Sequence, residues 1–171
     1  MRSRKCILYV GWVIIAFLFL NFGCQSKVDA LQKAPDFNLK DVNGKDVSLS
    51  QFRDRVVVLD FWATWCPPCR MSIPELVRLQ KEFKDQGLVV IGISLDDPMQ
   101  ASDLFLKAFM QKYDMQYTVL RFDMRVMKDY FGSETPAIPT VFLIDRQGKI
   151  RNTIVGYRPG VLKKTIEALL Q

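Results

Sequence analysis

The chain reads as an α/β domain built on a mixed central sheet with helices on its faces. Three observations predict that class. Two nearly continuous apolar, β-branched runs, residues 55–62 and 88–95, enclose a stretch whose apolar residues recur at helical spacing, the pattern of a βαβ unit with a buried parallel pair. A second pair of runs, 140–144 and 150–155, is joined by the polar loop Asp145-Arg146-Gln147-Gly148-Lys149, short enough to force an antiparallel hairpin. Composition suits one packed core: 49% hydrophobic and 25% charged over 171 residues, with no repeat and no low-complexity tract.

The N-terminal segment is different in kind. Arg2, Arg4 and Lys5 precede the apolar run 6–22, whose least apolar members are Gly11 and Asn21, and this marks a targeting or anchoring segment. As a helix the run would extend about 26 Å at ~1.5 Å per residue, a little short of the ~30 Å hydrocarbon core, between a signal h-region and a short anchor. Basic residues at its start keep the N-terminus in the cytoplasm and place the rest of the chain on the far side of the membrane. Leu20-Asn21-Phe22-Gly23-Cys24 resembles the bacterial lipobox, with Gly before the Cys but Asn21 where a leucine-like residue usually stands. Cys24 is therefore a candidate for lipidation; the other reading makes it the juxtamembrane end of an uncleaved anchor. Residues 1–24 are expected to be this leader, 25–33 a polar linker and 34–171 the folded domain.

The domain opens on a hairpin signal: 37–39 and 47–49 flank a turn in which Asn43-Gly44 is expected to supply positive backbone angles. The strand 55–62 follows. After Cys69, Ile73, Leu76, Val77 and Phe83 fall on one helical face, Pro74 is expected to kink the helix, and Gly87 stops it. The strand 88–95 completes a crossover of right-handed type. Asp96-Asp97 before Pro98 is expected to cap the next helix. That helix covers 101–113, with Leu104, Phe105, Ala108 and Phe109 on its apolar side, and a shorter one covers 126–131. The strands 140–144 and 150–155 come next, and a closing helix after Pro159-Gly160 buries Leu162, Ile166, Leu169 and Leu170.

Charge and cysteine usage narrow the function. Net charge is +6, and without residues 1–23, which hold three basic and no acidic residues, 21 basic against 18 acidic leave +3. Basic and acidic residues are interspersed along the solvated face of the first helix, as in Arg78, Lys81, Glu82, Lys84 and Asp85, so nothing argues for nucleic acid. The cysteines are Cys6 and Cys24 in the leader and Cys66 and Cys69 in the domain. A ring of four residues stabilises little, so the pair is unsuited to a structural role. The sequence has no His, and half a zinc site would need two further ligands. No metal and no cofactor is expected.

What remains is a working dithiol in Trp65-Cys66-Pro67-Pro68-Cys69. At a helix N-terminus, free N–H groups and peptide dipoles favour thiolate, and a thiol pKa of ~8.5 falls to ~3.5–7.5. Cys66 is then the accessible attacking sulfur. Cys69, one turn inside, stays protonated until a mixed disulfide forms and then resolves it. Pro67 and Pro68 stiffen the turn and withhold two N–H donors. Trp62 suits a core position and Trp65 a rim contact for partners. Asp60, six residues before Cys66, lies inside an apolar strand, where a carboxylate is costly unless protonated or partnered. It reads as a proton acceptor for Cys69 through water, its pKa raised by ~3 units by burial, or else as a strand Asp satisfied by local hydrogen bonds. For Pro139, at the start of a strand, the residues alone predict trans, since only about 5–6% of X-Pro bonds are cis.

Residues 58–70, Val-Leu-Asp-Phe-Trp-Ala-Thr-Trp-Cys-Pro-Pro-Cys-Arg, together with Ile138-Pro139-Thr140, resemble the thioredoxin-fold proteins, and more narrowly the exported, membrane-tethered TlpA/ResA-like thiol-disulfide oxidoreductases. The resemblance covers 34–171. It implies a thioredoxin-like fold with an N-terminal β-hairpin and an insertion between the crossover unit and a cis-proline strand. It also implies a proton-accepting Asp60 and a cis Pro139 that exposes the backbone of Ile138 to an extended substrate segment, with Trp65, Pro67 and Pro68 at the same substrate surface. The implied partners are a protein disulfide, apocytochrome c in one setting, and a membrane thiol carrier that re-reduces the pair; a monomer is expected. Two other classes stay open. A thiol peroxidase would carry Thr three residues before its reactive Cys in a Pro-rich frame, whereas Thr64 is two before Cys66. A binding module would use the thiols only to dock.

Overall fold

The computed structural model describes residues 32–171. The leader, the linker up to residue 31 and Cys24 lie outside the described residues. Strand β3 (Val56–Trp62) is buried along its whole length and occupies the middle of the sheet, which explains its unbroken apolar run. It pairs in parallel with β4 (Leu88–Ser94), from Val56↔Leu88 to Trp62↔Ser94, and antiparallel with β6 (Thr140–Ile144). Outside them lie β5 (Thr118–Arg121), parallel to β4, and β7 (Ile150–Val155), antiparallel to β6, so the order is β5-β4-β3-β6-β7.

Alternation along β3 divides the core into two layers. Val56, Val58 and Trp62 face helices α1 (Pro67–Phe83), α2 (Asp103–Lys112) and α4 (Val161–Leu170), meeting Cys69, Ile73, Leu76, Leu79, Leu106, Leu162 and Ile166. Val57, Leu59 and Phe61 face the other way, onto Phe37, Leu39, Val47, Phe142 and Val126 of α3 (Met124–Phe131). The small antiparallel sheet of β1 (Asn38–Lys40) and β2 (Asp46–Ser48) covers that second face. Its turn reaches the outer strand, where Val42 N–H donates to Val119 O at 3.3 Å and covers part of that edge.

Several expectations are corrected. Strand β5 was not foreseen: it has four residues, of which only Val119 and Leu120 are fully buried, too few to show a period. Helix α2 turns a different face inward. Leu104 and Phe105 are 78% and 50% exposed, Ala108 is exposed, and the core-facing stripe is Leu106, Phe109, Met110 and Tyr113. It begins at Asp103, where Ser102 Oγ accepts from Phe105 N–H at 3.2 Å and caps the helix in place of the aspartates. In the hairpin turn only Gly44 has positive φ, at 79°. Asp41 Oδ1 accepts the N–H groups of Asn43 and Lys45, each at 2.8 Å, and so keeps Asn43 in the ordinary region. Helix α3 begins at Met124 because Asp123 caps it, accepting from Arg125 and Val126. In α4, Leu162 and Ile166 are fully covered while Leu169 and Leu170 pack at the layer's margin. Pro74 lies within α1 on its exposed side and does not end it; a short 3-10 turn and Gly87, at φ 99°, do.

Candidate active site

Strand β3 delivers the dithiol. Its last residue, Trp62, is followed by a turn in which Cys66 N–H donates to Ala63 O at 3.2 Å, and Cys66 becomes the N-cap of α1 with extended backbone, φ −88° and ψ 109°. Pro67 and Pro68 take the first two helical positions, where a missing N–H costs nothing because those donors have no partner within the helix. The first N–H of the helix is therefore that of Cys69. It points at Cys66 Sγ, 3.2 Å away. The two sulfurs are joined as a disulfide, with Sγ–Sγ 2.07 Å.

Cys69 is fully buried and Cys66 is 3% exposed, so the expectation of an open outer sulfur is corrected. The capping position folds that sulfur inward, beside Cys69 and 3.6 Å from the carbonyl oxygen of Ile138. The surface around it is made instead by Trp65, 64% exposed, with Pro67 and Pro68 also exposed. The Ile138–Pro139 peptide is cis, as the family resemblance implies, and not the trans isomer that the residues alone predict. Pro139 O accepts from Gly156 N–H at 2.7 Å, and Thr140 Oγ1 donates to Ala137 O at 2.6 Å, fixing the segment on both sides of Ile138. Neither the N–H nor the C=O of Ile138 pairs with another backbone group among the described residues. Nearby, Leu95, Phe122, Met124, Met127 and Pro136 line a groove of about 600 Å³.

Asp60 sits on β3 between Gly92 of β4 and Val141 of β6. It is fully buried, and neither carboxylate oxygen has a hydrogen-bond partner among the described residues, so the reading of a locally satisfied strand Asp is set aside. Burial raises its pKa from 3.8 to about 7, because removing a carboxylate from water penalises only its charged form. Burial, and secondarily the Asp60 charge, holds the Tyr117 hydroxyl well above the ordinary phenol range.

Sequence reasoning missed a buried clamp behind the motif. Asp96 accepts the backbone N–H of Thr64 at 3.0 Å, the Thr64 hydroxyl at 2.6 Å and the Ser94 hydroxyl at 2.8 Å. Arg70 Nη1 donates to Thr64 O at 2.9 Å, so the residue two before Cys66 is held from both ends. The signal lay in the register: Trp62 pairs with Ser94, which places Thr64 and Asp96 side by side two residues beyond the strands. Asp97, the other half of the acidic pair, accepts from Met99 N–H at 2.9 Å in a local turn. The structure thus gathers Cys66, Cys69, Pro67, Pro68, Ile138 and Pro139 at one end of the sheet, with Trp65 at the rim and Asp60 in the layer below.

Comparison with known proteins agrees with this geometry. The profile of the AhpC/TSA family matches residues 30–153. The thioredoxin-like protein YneN of Bacillus subtilis is 35% identical over 125 residues, 73% of this chain and 71% of that protein. The thiol-disulfide oxidoreductase ResA of the same organism is 29% identical over 163 residues, 91% of this chain and 87% of that one. Among solved structures, a thiol:disulfide interchange protein of the thioredoxin family from Chlorobium tepidum superposes with a TM-score of 0.72 at 29% identity, covering 82% of this chain and 97% of that chain. A redox-ready Cys-x-x-Cys at the head of α1 in a sheet of this order, and relatives that span most of its length, are what one lineage would leave: the chain belongs to the AhpC/TSA family and is a thioredoxin-like thiol-disulfide oxidoreductase of the ResA type.

Proposed function

We propose that this oxidoreductase is a net reductant of protein disulfides on the outer side of the bacterial cytoplasmic membrane. Residues 1–24 serve as its membrane anchor or lipoprotein leader, with lipidation at Cys24 in the second case; 25–33 are the tether and 34–171 the working domain. The observation that carries the reading is the Cys66 sulfur, which meets the first free N–H of a helix at 3.2 Å with its redox partner in bonding distance. In the reduced protein that donor and the helix dipole favour the Cys66 thiolate.

The thiolate attacks one sulfur of the substrate disulfide, and the substrate's other sulfur leaves with the electron pair. Asp60 then takes the Cys69 proton. The Cys69 sulfur attacks Cys66 Sγ, the mixed disulfide breaks, and the substrate departs as a dithiol while Cys66–Cys69 is oxidised. Two electrons have passed to the substrate, and a membrane thiol carrier restores them. An extended substrate segment pairs with the free backbone of Ile138 beside Pro139, while Trp65, Pro67 and Pro68 form the contact surface. Apocytochrome c, whose haem-attachment cysteines must be reduced before use, fits this chemistry as substrate.

Replacing Cys69 with Ser tests the reading by stopping the cycle at the mixed disulfide. Protein adducts on Cys66 should accumulate in the Cys69→Ser variant and vanish when Cys66 is also replaced. Absence of any adduct, or turnover without Cys69, would contradict it. A reduction potential near the thioredoxin value of about −270 mV supports net reduction, and one near about −120 mV would reverse the direction.

A further inference from the structure

Beneath α1 the sheet carries a second set of polar groups besides the sulfurs. Asp60 stands in register with Gly92, and Gly92 with Val119. Paired residues on parallel strands point to the same face, as do residues two apart on one strand. Asp60, Trp62, Gly92 and Tyr117 therefore share the face that packs under Cys69. Gly92 makes the arrangement possible, since a Cβ there would lie 2.7 Å from Trp62 Nε1 and 3.4 Å from Tyr117 Cε2. Both rings close over a backbone position that has no side chain.

Both Asp60 oxygens, the Trp62 N–H and the Tyr117 hydroxyl are buried here without a hydrogen-bond partner among the described residues. Buried polar groups are costly unless they serve one another, directly or through a water. The groups of this layer that can ionise are Asp60, Cys66 and Cys69 of α1, Tyr117, and Tyr113 after α2. Strand β6 and helix α4 face it with Val141, Leu143, Leu162 and Ile166, and Glu75 of α1 is turned to Gly160 N–H at 3.1 Å. Arg121 of β5 lies on this face too, two residues beyond Val119; its Nε donates to Asp103 at 2.8 Å and its Nη2 to Ala101 O, while Nη1 is buried without a partner among the described residues. The donors grouped with Asp60 around Gly92 are neutral, the Trp62 N–H and the Tyr117 hydroxyl.

We propose that the Tyr117 hydroxyl is the hydrogen-bond donor that supports the Asp60 carboxylate while it holds no proton, which makes Tyr117 a positioning residue for the deprotonation of Cys69. The inference rests on Asp60 as the proton acceptor. In that step the Cys69 proton passes to Asp60, the Cys66–Cys69 bond forms, and the Cys66–substrate bond breaks with its electron pair leaving on the substrate sulfur. Without the donor, a larger share of Asp60 keeps its own proton at neutral pH, and that share cannot accept another.

Tyr117→Phe keeps the ring and removes the hydroxyl. Two quantities would be measured on the full chain: the Asp60 carboxyl titration by carbon NMR in the reduced protein, and the pH profile for release of 5-thio-2-nitrobenzoate from its mixed disulfide with Cys66. Both should move up by about one pH unit, making release about tenfold slower at neutral pH. 3-Fluorotyrosine at position 117, a stronger donor, should move both down. A folded Tyr117→Phe protein with an unmoved Asp60 titration would overturn the inference. Asp60→Asn separates the two readings: if the release profile keeps its transition in that variant, the proton-acceptor reading falls and this inference with it. If the transition is lost there but stays in place in Tyr117→Phe, only the role of Tyr117 falls.

Discussion

Replacing Asp60 with Asn should make the oxidised protein more stable in alkali, by an amount the structure allows to be worked out. The carboxyl is fully buried without a partner, and burial raises its pKa from 3.8 to about 7. A raised carboxyl pKa means that the folded state binds the proton more tightly than the unfolded chain does. Stability from this group is thus full below pH 3.8 and is lost as pH rises toward 7, the reverse of a salt-bridged aspartate. A difference of about three pKa units at 1.36 kcal/mol each amounts to about 4 kcal/mol once the pH exceeds 7, and about 2–3 kcal/mol of it falls between pH 5 and pH 8.5. Asn has the same shape and no charge to lose. Urea unfolding of the oxidised parent and of Asp60→Asn at pH 5 and at pH 8.5 would read the difference directly. The two proteins should separate by about 2–3 kcal/mol more at the higher pH, with Asn the more stable. Parallel pH dependences would refute the claim that burial raises the Asp60 pKa.

Two further outcomes follow from the same region. Gly92→Ala places a methyl 2.7 Å from Trp62 Nε1, against a ring with nowhere to retreat in a packed layer, and should cost about 1–3 kcal/mol in chemical denaturation; a neutral substitution would mean that the indole is not pressed against the sheet. Asp96→Ala leaves Thr64 and Ser94 donors buried without an acceptor; at about 1–3 kcal/mol per stranded group it should lower the thermal midpoint by several degrees, and an unchanged midpoint would remove the clamp from the account.

The parts of the fold that were legible in the sequence are those with long, uniform signals. Val56–Trp62 shows a central strand because both faces are covered, and every position must then be apolar except one with a chemical reason to differ, which is Asp60. The dithiol was legible because Cys-Pro-Pro-Cys combines a helix start with paired thiols. The face of helix α2 is ambiguous in the sequence for a physical reason: Leu104 and Phe105 are as hydrophobic as Leu106 and Phe109, and composition does not say which pair meets the sheet. The aspartates at 96 and 97 look like a helix cap because composition cannot say that Asp96 bonds backward across the sheet to Thr64. The grouping of Asp60, Trp62 and Tyr117 around Gly92 was beyond reach for the same reason, since it depends on the register of three strands.

The account stands on the Cys66 sulfur being an anion at neutral pH once the disulfide is opened, and alkylation measures that most directly. The reduced protein would be treated with iodoacetamide from pH 5 to pH 9, and each cysteine read by mass spectrometry. The account predicts modification of Cys66 with a half-maximal rate well below the ~8.5 of a free thiol, while Cys69 stays unmodified. A Cys66 that is inert at neutral pH, or that reacts only above about pH 8.5, would contradict it.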